Sequence, residues 1–340
     1  MDYTQHLAQL DAALIVRRHL LDGELSDHEL RARTEAGLLV RVIRGCYLDR
    51  SLWDGLYEEQ RLLARTLAVA RLGSAKPGSA GLIDEPPIFS HLSAAVLWGL
   101  PLYGLKRSSP QRVHLLTPPE RPGRSRGAVI RHSEPYGEDD VTTVAGPRVT
   151  TLDRTVRDLA RLATPELALG CADSALRRIL GDPHYAAPAP VEQWRESQLR
   201  ILRERPGVRG VRRGSRILEL ADPRADSLAE SVSRLQLVRL RVPFEFQVAV
   251  SGLNGAVHRM DFEFVGQACF GEMDGRIKYT DPDYRNGRTL EQVLLDEKER
   301  EDEVRGIHRK SVARWGWSSI GTARRLGARL SAFGLHIPGF

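Results

Sequence analysis

The chain has 340 residues, of which 41% are hydrophobic and 28% charged, with a formal net charge of +6. That composition suits a folded protein of two or three domains and argues against a disordered polyelectrolyte. No run of about 18 apolar residues and no apolar leader core is present, so the expectation is a cytoplasmic protein with no membrane partner. The three cysteines, Cys46, Cys171 and Cys269, lie far apart without a CxxC pair, which favours neither a zinc ribbon nor a disulfide framework. The basic excess is carried mostly by arginine, which suits polyanionic partners and bidentate phosphate contact; a GC-rich genome produces the same bias.

In chain order, residues 1–50 predict a compact DNA-binding unit. A first helix is expected over 12–21, then a turn with Ser26 as N-cap, then a second helix over 27–36 carrying Arg31 and Arg33. Gly37 ends it, and residues 38–48 form two short strands with Arg41 and Arg44. Helix, turn, helix and a β-wing is the winged helix-turn-helix order. Its second helix enters the major groove while arginines of the wing flank phosphates. The competing reading is a helical hairpin with solvated arginines.

Residues 53–72 predict one amphipathic helix, and 73–87, rich in Gly, Pro and Ser, a linker. A mixed α/β region follows. It has a helix ended by Gly99-Leu100-Pro101, strands over 111–117 and 127–132, a hairpin over 142–150, and helices to Leu162 and Leu180. His91 and His114 read as isolated structural or surface residues. Arg154 and Asp158, at i and i+4, read first as a helix pair. Residues 181–216 are a Pro-rich connection and an arginine-crowded helical stretch, either a solvated face or a phosphate-tracking one.

The acidic residues of the C-terminal third organise the reading. Residues 226–238 predict a helix in which Glu230, three residues after Ser227, fits a capping box. Residues 258–264 and 268–274 alternate as two strands around Gly266-Gln267. A hairpin there brings Asp261 close to Glu272, and Asp274 joins them beside Lys278. Like charges gathered in this way need a cation or a proton. Oxygen donors of this kind suit a hard divalent ion. Beyond them a charged helix over 290–306, a strand over 308–317 and a last helix over 319–333 complete a mixed α/β domain.

The order helix Glu230, strand Gln247, strand Asp261, strand Glu272-Met273-Asp274-Gly275 resembles the PD-(D/E)xK nuclease fold. More narrowly, Ser227 to Ser231 (S-x-x-E-S), Met260-Asp261-Phe262 and Glu272 to Gly275 are similar to domains related to very-short-patch-repair endonucleases, over roughly residues 220–315. The resemblance implies Glu230, Asp261, Glu272, Asp274 and Lys278 as the catalytic set. It also implies Mg²⁺ or Mn²⁺ on Asp261, Glu272 and the Met273 carbonyl. Asp274 stands where the wider superfamily has lysine, so Lys278 would supply the positive charge from a displaced position. Arg300 with Asp302 resembles the K-x-R-x-D helix of those domains, or else forms a solvent-facing ion-pair network. The R-x-x-R-G-x-Y segment at 41–47 resembles the N-terminal domain of AbiEi-type antitoxins. The Ser90-His91 segment and the run carrying Arg154, Thr155 and Asp158 resemble the second domain of that group.

The expected fold class is therefore α+β, multidomain. It comprises a winged helix-turn-helix (1–50), a connecting helix and linker (51–88), an α/β middle domain (89–185), a basic connector (186–219) and a restriction-endonuclease-like mixed sheet flanked by helices (220–340). Two functions fit. One is a metal-dependent DNA endonuclease. The other is a non-enzymatic antitoxin or transcriptional autorepressor with a cognate toxin as partner. Both bind DNA.

Overall fold

The computed structural model describes residues 3–17, 26–73, 86–181, 188–205, 207–274 and 289–338. The chain forms two compact units: residues 1–175 with 192–219, and residues 176–191 with 220–340. Both are α+β. Lys278 and Gly275 lie outside the described residues.

The first unit opens with α1 (Tyr3–Ala12), β1 (Ile15–Val16), α2 (Asp27–Glu35), β2 (Leu39–Ile43) and β3 (Cys46–Asp49). The expected first helix over 12–21 is corrected: α1 stops at Ala12, and the β-branched pair Ile15-Val16 pairs antiparallel with β3. The rest of that expected helix and its turn, 18–25, lies outside the described residues. The start of α2 follows the expected chemistry. The Ser26 hydroxyl accepts the Glu29 N–H, while the Glu29 carboxylate accepts the Ser26 N–H at 2.8 Å, a reciprocal capping box. The three strands order as β1-β3-β2.

The single helix expected over 53–72 is two, α3 (Arg50–Gly55) and α4 (Glu58–Gly73). Leu56 adopts extended backbone angles, and the Gln60 side chain accepts the free Tyr57 N–H at 2.8 Å. A second sheet follows, built from β4 (Ile88–Phe89), β5 (Val113–Thr117), β6 (Val129–Ser133), β7 (Val141–Thr143) and β8 (Arg148–Thr150), ordered β6-β5-β4-β8-β7. Parallel and antiparallel pairings mix in it. Helices α5 (His91–Trp98) and α6 (Leu152–Leu162) pack beside it, followed by α7 (Pro165–Leu180), α8 (Pro188–Arg203) and α9 (Val211–Leu220). Gly99, left-handed at φ 67°, ends α5 where Gly-Leu-Pro was expected to end it.

The second unit is built on α10 (Leu228–Leu240), β9 (Phe244–Ser251), β10 (Val257–Phe264), β11 (Cys269–Met273), α11 (Leu290–His308), β12 (Ser311–Trp315), α12 (Trp317–Ile320) and α13 (Ala323–Ala332). The expected last helix over 319–333 is divided at Gly321. The sheet order is β12-β11-β10-β9, with β9, β10 and β11 antiparallel in turn and β11 parallel to β12 across the α11 crossover. One face packs Val250, Met260, Phe270 and Val312 against Val304 of α11. The other gathers Phe246, Phe262 and Phe264 around Trp315, whose indole donates to Ser233 of α10 at 2.9 Å. Gly271 makes this closeness possible, since a Cβ there would stand 2.6 Å from the Trp315 ring.

Met260 and Phe262 are two residues apart on β10, yet they join opposite faces. A regular strand would keep them together. The irregularity falls at Asp261, and its neighbour on β9 shares it: Gln247 has φ 54°, in the left-handed region. The two strands thus depart from the pleat at the position that carries the first strand carboxylate.

Candidate functional site

Glu230 of α10 and Asp261 of β10 approach one another at this irregular segment, and Glu272 lies on the next strand, β11. The β10–β11 register runs to Phe262–Gly271, and Asp261 and Glu272 are the next residues on the two strands. An Asp261 carboxylate oxygen accepts the Met273 N–H at 2.8 Å. Glu230 arrives from the first turn of α10. Its N–H bonds to the Ser227 hydroxyl at 3.2 Å. Its carboxylate accepts the Ser227 hydroxyl at 2.8 Å, the Asp226 N–H at 3.0 Å and the Gln247 side-chain amide at 2.8 Å. The capping side chain of Glu230 also reaches β9 through Gln247. Burial, with the charge of nearby Asp261 added, pushes the Glu230 carboxyl up to about 7.

Glu272 is buried and held differently. One oxygen pairs with Arg300 of α11 at 2.8 Å, the other with Arg314 of β12 at 2.9 Å. Arg314 also pairs with Glu301 at 2.8 Å and Glu297 at 3.3 Å. The expected compensation by Lys278 falls outside the described residues; among those described, the two arginines perform it. The sequence reading missed Arg314, which is opposite Glu272 in the parallel register. Arg300 joins the site, whereas Asp302 is exposed. Asp274 follows β11, its N–H donating to the Trp315 carbonyl at 2.8 Å. It borders a cavity of about 550 Å³ with Arg314, Trp317 and Arg329.

Carboxylates and a backbone carbonyl are the donor chemistry of Mg²⁺ or Mn²⁺. Among the described residues, however, no three acidic side chains bring their oxygens within 4.8 Å of one another. Of the set that the resemblance implied for such an ion, Asp261, Glu272 and the Met273 carbonyl, Glu272 is paired with two arginines.

The other arginines expected to carry function, Arg31 and Arg33 on α2, Arg41 on β2 and Arg44 in the β2–β3 turn, are all exposed. Arg154 and Asp158 form the expected i, i+4 helix pair, and it is buried. Arg154 is 1% exposed and bonds Asp158 at 3.1 Å, Asp140 at 3.1 Å, Glu134 at 3.3 Å and the Pro135 carbonyl at 3.0 Å. Arg157 and Arg161 share Asp140 and Glu134 with it. Burial pushes Asp158 up to about 6, against the pull of Arg154.

The isolated histidines are corrected as well. His91 and His114 meet His132, with one ring nitrogen from each within 4.8 Å of the others. The His114 and His132 nitrogens are 2.9 Å apart. No spacing in the sequence joins these three positions; the parallel pairing of β5 with β6 and the entry to α5 do.

No known family model matches the chain. Two uncharacterized proteins of Mycobacterium tuberculosis, from strains CDC 1551 and H37Rv, are each 25% identical to it over 241 residues, covering 70% of this chain and 74% of theirs.

Proposed function

We propose that the second unit is a metal-dependent phosphodiesterase acting on DNA, and that the N-terminal helix and β-hairpin of the first unit form a winged helix that binds duplex DNA. The observation carrying the proposal is the approach of a helix acid to a strand acid, with Asp261 acting electrostatically on a buried Glu230 and Glu272 on the adjacent strand. Gathering acids in a partly buried place is costly, and catalytic sites are where such cost is met. Asp261 and Glu272 hold the ion, and Asp261 is oriented by the Met273 N–H. Glu230 can carry or release a proton near neutral pH and steers Gln247 beside the site. Arg314 and Arg329, bordering the cavity next to Asp274, face a phosphate with positive charge. A bound Mg²⁺ supplies Lewis-acid stabilisation and an activated water.

One observation favours the second reading, an AbiEi-like regulator with a degenerate nuclease domain and a toxin as partner. Glu272 is already neutralised by Arg300 and Arg314, so the cluster is satisfied without a metal.

The deciding experiment incubates the full chain with supercoiled and linear DNA in chelator, Mg²⁺ and Mn²⁺. Nuclease function gives metal-dependent nicking that falls at least a hundredfold in Asp261→Asn while the melting temperature holds or rises. Binding without cleavage in every metal leaves the regulator.

A further inference from the structure

We propose that His91, His114 and His132 in the first unit form a binding site for one late first-row divalent ion, Zn²⁺ foremost, independent of the acidic site. The histidines come from three places in the sheet-and-helix core. His114 is on β5, His132 is on the neighbouring parallel strand β6, and His91 begins α5. Among the described residues they are the one set of three or more His, Cys, Asp or Glu side chains whose ligand atoms gather within 4.8 Å.

The second observation is the state of His91. It is 2% exposed and its Nε2 has no hydrogen-bond partner, while Nδ1 lies 3.1 Å from the Ser90 hydroxyl. A buried ring nitrogen without a partner is costly, and an ion removes that cost. The Ser90 contact fixes the ring through its other nitrogen, as the outer partner of a metal-bound histidine does. His91 also holds φ 50°, a left-handed conformation unfavourable for a residue with a Cβ. The backbone is thus bent at the residue that brings its imidazole to the other two.

Ligand chemistry selects the class of ion. Three imidazoles suit Zn²⁺ and its late transition-metal neighbours, not Mg²⁺. Nitrogens about 2.0–2.1 Å from a tetrahedral ion lie about 3.3 Å apart. Binding therefore opens the 2.9 Å His114–His132 contact by a few tenths of an ångström and separates the His91 and His132 rings, now stacked at 3.7 Å. The charged groups acting on the cluster are Arg112, Arg154, Arg161 and Glu134. Arg154 and Arg161 are paired with Glu134 and Asp158, so their charge is already compensated, while Arg112 bonds the Val129 carbonyl. Three protein ligands leave a fourth position for water or a small anion.

The test uses the full chain with any affinity tag removed, stripped by chelator and re-equilibrated with Zn²⁺ or Co²⁺. Expected are one Zn²⁺ per chain by elemental mass spectrometry and the visible absorption of tetrahedral Co²⁺. Both should be lost in His132→Asn and in His114→Gln, and both kept in Asp261→Asn. Far-UV circular dichroism and melting curves establish that the variants fold. If neither histidine variant folds, X-ray absorption of the zinc-loaded wild type decides, three imidazole ligands supporting the site and one or none overturning it. A wild type that retains no metal, or folded histidine variants that retain as much as wild type, also overturns it.

Discussion

Glu230 sets the clearest pH dependence in the second unit. Its carboxyl ordinarily titrates near 4.5, and in the fold it does so near 7, through burial first and the charge of Asp261 second. Between those values the native chain holds a proton that the unfolded chain has released, so stability falls as pH rises from about 4.5 through about 7, then levels. Glu230→Gln removes the titration. Its three acceptor contacts weaken at every pH, but the difference in melting temperature between variant and wild type should move in the variant's favour across that window. The relative gain is on the order of a few kcal/mol, and parallel profiles of the two proteins would refute the assignment. At this scale the sequence was partly legible. Ser227 and Glu230 stood at capping-box spacing, and a hairpin around Gly266 placed Asp261 by Glu272. Arg314 was not legible, because its partner Glu272 is 42 positions away through a parallel crossover that no local pattern encodes. The histidines were hidden for the same reason: β5 and β6 are parallel neighbours, and a strand alternation says nothing of which strand lies beside which.

Elements were legible where one local rule acted alone. Ser26 and Ser227 cap helices as their side chains allow, and Gly99 ends α5. Boundaries failed where propensity was uniform but the backbone broke, as at Leu56 between α3 and α4 and at Gly321 before α13. Strand β9 holds the least legible feature, a glutamine in the left-handed region opposite Asp261. A Cβ there costs roughly 1–2 kcal/mol, and the amide it supports bonds Glu230. Two substitutions separate these contributions. Gln247→Ala loses the bond and keeps the strain. Gln247→Gly loses the bond and relieves the strain, at the cost of a more flexible unfolded chain. The glycine variant should therefore be the more stable, by about 1 kcal/mol in urea unfolding at constant m-value. An alanine variant as stable as the glycine variant would mean that β9 relaxes to regular angles when the amide is gone, and that the kink is not built into the fold.

For the whole molecule, the order of predicted elements gave the α+β class and composition the basic balance, and among the described residues no helix is long and apolar enough to cross a membrane. The net charge of +6 does not say where the arginines are spent. Many are internal: Arg154, Arg157 and Arg161 satisfy buried or half-buried acids and are withdrawn from any partner. The exposed arginines of α2, β2 and the turn after it are among those left to meet a polyanion in the N-terminal segment. If that segment binds duplex DNA, each phosphate contact removed should flatten the dependence of log affinity on log salt by about 0.9. Arg41→Ala with Arg44→Ala should thus lower the slope by nearly 2 and weaken binding alike for unrelated sequences. Arg31→Ala or Arg33→Ala should change sequence preference, since a groove-facing side chain reads base edges. Fluorescence anisotropy over a salt series with two unrelated duplexes measures both. Affinity and slope unchanged in all three variants would remove the winged-helix reading and place any DNA contact on the second unit, where Arg314 and Arg329 border the cavity beside Asp274.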